Sequence, residues 1–414
     1  MKRHPPLPTA AFDAQRSRKA FSTVGLAFLL SLAVTGGEIL PRDSFNGPSG
    51  PLVTVTEGNP TSALTLLTYN VSGNGAADWS TNSPQVQAIG RQMRYLQPDV
   101  VTFNEIPMDR TWEMTNFVAA YLPGFFLATN SGTDGYLRNA IASRFPIARS
   151  QSWLDNASLA PFGYTNANPY FTRDLFEAEI TVPGFLRPLH VFTAHLKAGT
   201  ATNDLARRAA EASAVSNFFV TSFLPAKGNR PYVLAGDLNE DIARPPAGSQ
   251  QPIQRLANPE TGLQLTTPRN PTSHDERTLS IRSSLFVRYD YILPGGLLFS
   301  NMASSQVFRT DLLNPLPGSL LSNDSRTASD HLPVLVVFRN PFDTPFRVTS
   351  WGVTDQRVQL DWQTEPGRQY QVEGSTNLVD WTALSDRLTA AGTSCSWTTN
   401  MSGGAQFYRV HRRP

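Results

Sequence analysis

Six short apolar runs in this chain each border on a residue that can bind a metal ion or move a proton. Leu64 to Tyr69 runs into Asn70, Val100 to Asn104 into Glu105, and Val191 to Ala194 into His195. Tyr232 to Gly236 runs into Asp237, with Asn239 two positions on. Asp290 opens Tyr291-Ile292-Leu293, and Asp330-His331 precedes the run from Leu332 to Phe338. Carboxylates and an amide oxygen are hard ligands that suit Mg²⁺ or Mn²⁺. A histidine beside carboxylates suits proton transfer near neutral pH. With one cysteine, Cys395, and no cluster of histidine ligands, the chain lacks the donors of a structural zinc site. Taken singly, these residues say little. An Asp after a strand is more often a turn former or cap, and a His at a strand end is more often a hydrogen-bonded structural residue. Of the six histidines, His4 and His411 stand near the ends and read as solvated, and His274 lies in a polar loop. His190 is an odd number of positions from His195 and so faces the other side of that strand. That leaves His195 and His331, both beside acidic motifs.

Residues drawn from six segments need a scaffold that brings their ends together, and in α/β sheets ligands gather where loops leave the strand ends. Strand-like and helix-like stretches alternate up to about residue 340, which predicts an α/β architecture. Ser83 as N-cap and Pro84 at the first position predict a helix with Val86, Ile89, Met93 and Leu96 on one face, ended by Pro98-Asp99. A second helix is predicted over about Asp204 to Phe219, burying Leu205, Ala209, Ala212, Val215 and Phe219. From about Phe346 to Val410 the pattern turns to strand alternation (Val358, Leu360, Trp362, then Tyr370, Val372), with Gly367 and Asn377 as turn residues.

The 414 residues suit two to three domains. A formal net charge of +2 gives no general footprint for nucleic acid, so binding of a polyanion has to rest on a local patch. Cys395 has no partner for an internal disulfide and reads as a small apolar residue of the tail. At the N-terminus, Lys2, Arg3, Arg16, Arg18 and Lys19 precede an uncharged apolar run from Phe21 to Val34 and then Thr35-Gly36-Gly37. That is the layout of a secretory signal, or of an uncleaved anchor near the lower limit of a membrane span. The expected organisation is a signal or anchor over 1–39, a Pro/Gly/Ser-rich linker over 40–61, a central domain over 62–340 and a small β domain over 345–414. The expected location is secreted or in the cell envelope.

In combination, these segments resemble the endonuclease/exonuclease/phosphatase family. The carriers are Thr68-Tyr69-Asn70, Phe103-Asn104-Glu105-Ile106, Asn139 to Ile147, Thr193-Ala194-His195-Leu196, Gly236-Asp237-Leu238-Asn239, Arg288-Tyr289-Asp290-Tyr291-Ile292 and Ser329-Asp330-His331, in the family's order. The resemblance implies a four-layer α/β sandwich, two packed β-sheets flanked by helices. It implies Glu105 as the principal ligand of Mg²⁺ or Mn²⁺, with Asn70 and Asp330 close to the metal. Asp290 would orient His331, which would act on the attacking water as base or bind the phosphate as a cation. Asp237 and Asn239 would position the water and the phosphate oxygens, and His195 would stabilise developing charge or protonate the leaving group. The physics agrees: a metal offsets charge on an anionic ester, and a carboxylate holds a histidine in one tautomer.

Three positions depart from the family's pattern. Asn104 stands where Gln is frequent, and is taken to matter little because that position is not a ligand. Ser72 and His195 replace an Asp and a Tyr of the abasic-site repair branch, which points to the His-bearing branches: deoxyribonucleases, sphingomyelinases, deadenylases and inositol-phosphate phosphatases. Asn139, Arg173 and Lys197 are the candidate substrate contacts. The segment Trp153 to Phe176 is either a lid that stacks on a base or a loop with its own small core. Arg207 and Arg208 either reach phosphate or lie on a solvated helix face.

The tail resembles immunoglobulin- or fibronectin-like β-sandwiches through Gln359-Leu360-Asp361-Trp362, Pro366 to Glu373, Ser375 to Trp381 and Phe407 to Val410. Trp362, Trp381 and Trp397 read as core rather than as a sugar platform, and the tail offers a contact for a cell surface or polymer. The leading expectation is thus an exported, monomeric, Mg²⁺-dependent phosphodiester hydrolase, a nuclease acting on DNA or RNA. The alternatives are a sphingomyelinase-like lipid phosphodiesterase or other phosphoesterase, and a surface binding protein with a decayed enzyme domain.

Overall fold

The computed structural model describes residues 52–55, 63–228, 230–342, 346–400 and 407–413. The expected signal or anchor lies outside them. So does the expected linker, apart from Leu52–Val55, which is not linker but a strand (β1). Among the described residues, eleven strands form two sheets between residues 63 and 339. They are Ala63–Asn70 (β2), Val100–Pro107 (β3), Phe126–Thr129 (β4), Leu137–Ser143 (β5), Ile147–Trp153 (β6), Leu175–Ile180 (β7), Leu189–Ala194 (β8), Tyr232–Asp237 (β9), Asp290–Pro294 (β10), Met302–Val307 (β11) and Val334–Arg339 (β12). One sheet has the order β11-β12-β2-β3-β5-β4 and the other β10-β9-β8-β7-β6.

Each central strand buries both faces. Leu64 and Leu66 of β2, Val100 of β3 and Val334 of β12 meet Phe176 of β7, Val191 of β8, Val233 of β9 and Ile292 of β10 between the sheets. The intervening residues face outward, as period-two alternation requires. Leu67 and Tyr69 pack with helices Pro84–Leu96 (α1) and Glu113–Tyr121 (α2). Phe192 and Leu234 pack with helix Thr202–Phe218 (α3). The layers are helix, sheet, sheet, helix, which is the four-layer α/β sandwich expected.

α1 starts as its sequence predicts. Ser83 is extended, its hydroxyl accepts the Val86 N–H at 3.1 Å, and Val86, Ile89 and Met93 are buried. α3 begins two residues before the expected Asp204 and continues through a π-helical turn to Phe223. Its buried side holds Leu205, Ala209, Ala212 and Val215 as expected, but also Arg208 and Glu211.

The tail strands are Val348–Thr354 (β13), Arg357–Gln363 (β14), Gln369–Ser375 (β15), Thr382–Ala383 (β16), Leu388–Thr389 (β17), Ser394–Asn400 (β18) and Phe407–Arg413 (β19). They form a β13-β14-β18 sheet and a β1-β19-β15-β16 sheet, with β17 on β15. Pairing is antiparallel except that β1 runs parallel to β19. Trp362 is core, with Leu360, Tyr370 and Val410, and Cys395 and Trp397 pack against it half-buried. Trp381 instead lies under the Arg409 guanidinium. His411 is not solvated as expected; it sits in β19, largely covered, 3.7 Å from Glu373.

The Ser83 cap yields a stability test. Ser83→Ala should lower stability by about 1 kcal/mol in urea unfolding with an unchanged slope; an unchanged midpoint would mean the cap contributes nothing.

Candidate active site

Strand parity brings the polar residues together. Leu64 and Leu66 point between the sheets, so Thr68 and Asn70 do too. The same count places Thr102 and Asn104 of β3, Thr193 of β8 with His195 just beyond it, Asp237 of β9 and Asp290 of β10 on the facing sides. All of these are buried. The space between the sheets is therefore apolar along most of its length and polar at one end. His190, on the opposite parity, points away as expected and pairs with Glu177 at 2.6 Å.

Two backbone features shape this end. Gly236 has φ +147°, and a Cβ there would lie 2.1 Å from the Ala194 carbonyl oxygen, so only glycine lets β9 lie this close to β8. Glu105 leaves the alternation: the β3–β5 register shifts between Phe103 and Ile106, and Glu105 has φ 62°. Left-handed backbone at a non-glycine residue costs roughly 1–3 kcal/mol and clusters at functional sites.

Asn104, set aside in the sequence because it is no ligand, bridges the two sheets. Its Nδ2 donates to Asn139 Oδ1 on β5 at 2.8 Å and to Thr193 Oγ1 on β8 at 3.1 Å, and its Oδ1 accepts the Asp237 N–H at 3.0 Å. Asn139 is accordingly an interior partner of Asn104, fully buried, and not the cleft contact expected. The signal for Asn104 was its parity with Val100. Ser329 is a second such link: its hydroxyl donates to the Asn70 carbonyl at 2.7 Å and accepts the His331 N–H at 3.0 Å.

The centre of the cluster is Asp237. Asn70 Nδ2 donates to Asp237 Oδ2 at 2.8 Å and to Glu105 Oε1 at 3.1 Å, while Asn70 Oδ1 accepts the Ser72 N–H. Asn70 thus meets both carboxylates as a donor. His195 Nε2 is 3.6 Å from Asp237 Oδ2 and 3.8 Å from Glu105 Oε1. His331 Nε2 is 3.7 Å from Asp237 Oδ2, and its Nδ1 is 2.8 Å from Asp290 Oδ2. Asn239 N–H donates to Asp237 Oδ1 at 2.8 Å and its Nδ2 to the Leu196 carbonyl at 3.0 Å, which ties the ends of β9 and β8.

Burial and the neighbouring Asp290 and Glu105 carboxylates push the Asp237 carboxyl above the usual range, against the opposing charge of His331. Burial disfavours charge on His331, but the Asp290 and Asp237 carboxylates outweigh it and hold its pKa well above that of a free histidine. His195 is pushed far the other way, by burial first and then by Arg173 and His331. Neither of its ring nitrogens has a hydrogen-bond partner.

The ligand atoms of Glu105, His195 and Asp237 lie within 4.8 Å of one another, as do those of Asp237, Asp290 and His331. Paired carboxylates around a neutral, partnerless imidazole are a donor set that a hard divalent cation fits. Asp330 stands outside both triads; its carboxylate receives a 3.5 Å contact from Ser329 Oγ.

A cleft of about 480 Å³ opens on this cluster, lined by Glu105, His195, Tyr136, Tyr170, Arg173 and Lys197 among others. Arg173 is buried, donating to Asp134 at 2.6 Å and to the His195 carbonyl at 3.0 Å. Lys197 Nζ lies 3.1 Å from Asp204. In the Trp153–Phe176 segment Leu159, Tyr164 and Phe171 join the core beneath α3 and not a small core of their own, while Asn156, Asn168 and Tyr170 line the cleft. Arg207 reaches the cleft, but Arg208 is fully buried, neither at phosphate nor solvated.

Among curated proteins, none matches the chain. Solved structures similar to it include a humanized D. rerio TDP2 carrying 14 mutations (16% identity, 67% of this chain and 100% of that one, TM-score 0.47). Others are a Neisseria 3′ phosphatase, NExo, bound to a product DNA hairpin (18%, 66% and 99%, 0.45) and the human Nocturnin catalytic domain with a sulfate anion (15%, 67% and 94%, 0.47). The sequence model of the endonuclease/exonuclease/phosphatase family matches residues 67–331. That span is well over half of the chain, and the protein belongs to the endonuclease/exonuclease/phosphatase family.

Proposed function

We propose that this protein hydrolyses phosphodiesters of nucleic acid with the help of Mg²⁺ or Mn²⁺. The observation that carries the reading is the buried cluster in which Asp237 lies between Asn70, His195 and the His331–Asp290 pair, open to a cleft through Glu105. A binding module has no use for such a concentration of partly opposed charge, which argues against a decayed enzyme.

Of the cluster's carboxylates, Glu105 lines the cleft, so it is the residue we assign to hold the cation. Asn70, bonded to Glu105, and Asp330, beside the Ser329 that bonds Asn70, adjoin it. The bound cation supplies charge neutralisation at the phosphate oxygens. His331, held charged by Asp290, is a poor base and a good partner for a phosphoryl oxygen. Asp237, held on the basic side of an ordinary carboxyl, is the group we assign to take the proton of the attacking water. Asn239 fixes the Asp237 carboxylate, and the neutral His195 faces the leaving group.

Nucleic acid is favoured over lipid by the cleft's rim. Tyr136 and Tyr170 stand exposed there beside Lys197 and Arg207, an arrangement of flat rings and cations that suits bases and their phosphates. Residues 1–39 support a secreted or cell-envelope location, with the tail as a surface contact.

Full-length protein offered DNA, RNA, sphingomyelin and bis(p-nitrophenyl) phosphate should cleave a nucleic acid and the chromogenic ester with Mg²⁺, and neither with EDTA. Turnover of sphingomyelin alone would move the reading to a lipid phosphodiesterase, and no metal-dependent turnover would end the enzyme reading. Glu105→Gln, Asp290→Asn and His331→Ala should each lower kcat by about 10²-fold or more with an unchanged circular dichroism spectrum. A near-normal rate in any of them would remove that residue's assigned role.

A further inference from the structure

Two charged side chains of α3 are fully buried, and neither takes part in the reaction proposed above. Arg208 and Glu211 are three residues apart, which puts them on one face of the helix, and that face meets the loops after β8 and before β7. Glu211 accepts from both loops. Its Oε2 takes the Lys197 N–H at 2.7 Å, and its Oε1 takes the Thr172 N–H at 2.9 Å and the Thr172 hydroxyl. Arg208 Nη1 donates to the carbonyls of Lys197 at 2.9 Å and Gly199 at 2.8 Å. Its Nε and Nη2 pair with Glu240, the residue after Asn239, at 3.2 and 2.8 Å. Lys197 is thus held by its N–H and by its carbonyl, both from one helix face.

A buried charge is costly unless paired and hydrogen-bonded, and an apolar face would pack against a sheet as well. What the charged face adds is a fixed place for two loops, and both carry cleft residues. Thr172 precedes Arg173, and Lys197 follows His195 by two positions. Arg173 in turn donates to the His195 carbonyl at 3.0 Å. The Lys197 ammonium lies on the cleft wall, 3.1 Å from Asp204 and donating to the Ala198 carbonyl at 2.8 Å, so where its backbone is held sets where that charge stands.

We infer that Glu211 and Arg208 are positioning residues that set where Lys197 and Arg173 stand in the cleft, and so how tightly the site holds the phosphate of its substrate. The inference rests on the phosphoester reading of the cleft. Glu211→Gln is the sharpest variant. Both carboxylate oxygens accept from backbone N–H groups, so an isosteric amide has to turn its NH₂ toward one of them. Thr172→Val is the milder one, removing the hydroxyl contact and keeping both backbone bonds.

Full-length wild type and both variants would be compared in three ways: affinity for inorganic phosphate by calorimetry, kcat and KM on bis(p-nitrophenyl) phosphate with Mg²⁺, and hydrogen exchange at the Lys197 amide. Glu211→Gln should weaken phosphate binding and raise KM about tenfold, as loss of a hydrogen bond to a charged group implies. Its kcat should stay within about twofold, with faster Lys197 exchange. Thr172→Val should move the same quantities less, and it carries the test alone if Glu211→Gln does not fold. Wild-type phosphate affinity and KM in the folded variants, or a fall in kcat at constant KM, would overturn the inference. A wild type that binds phosphate but cleaves no ester would contradict the phosphoesterase reading, while phosphate affinity and exchange would still decide this one. A wild type with no affinity for phosphate would sink it.

Discussion

The side chain of Asn104 holds the two sheets at the one end where their facing residues are polar. Elsewhere the gap is closed by aliphatic residues and phenylalanines that need no specific partner. At this end, Asn104 links β3 to β5, β8 and β9 through Asn139, Thr193 and the Asp237 backbone. Each of those groups is buried, and a buried polar group left unmatched costs about 1–3 kcal/mol. The amide therefore does two things together: it lets a polar layer exist inside the sandwich, and it sets the end of β9, from which Asp237 projects.

Charge is organised around that fixed point. Asp237, Asp290 and Glu105 would repel one another in so dry a place. Asn70 donates to two of them, and His331 neutralises the third from 2.8 Å. His195 is left neutral, with no hydrogen bond to either ring nitrogen, on the side where the cleft opens. The proposed cation and phosphate would complement that arrangement. Behind it, Arg208, Glu211 and Glu240 form a second buried charged set that ties α3 to the cleft wall and to the loop after β9.

Much of this was legible because it follows from strand parity and strand ends. Asn70, Glu105, His195 and Asp237 stand where apolar runs stop, Asp290 and His331 where they start, and the structure brings them within a few ångströms of a neighbour in the set. The orientation of His190 followed from counting residues, and the start of α1 from Ser83 and Pro84. What escaped was polar material used for construction. Asn104 is no ligand, so its type alone does not announce a link between sheets, and Asn139 reads as a substrate contact although it is an interior partner of Asn104. Arg207 and Arg208 read equally as phosphate contacts or as a solvated helix face, because a charge pattern does not tell which face of a helix meets another element. The pairing of Leu52–Val55 with β19 joins positions more than three hundred residues apart, and no local pattern announces it.

The central claim is that the polar end of the inter-sheet gap is a cation site reached through Glu105. Anomalous diffraction from crystals of the full chain soaked in Mn²⁺ tests it directly. The account predicts one strong peak at about 2.0–2.2 Å from a Glu105 carboxylate oxygen, absent in Glu105→Gln crystals. A peak elsewhere, or none at this cluster, would contradict it.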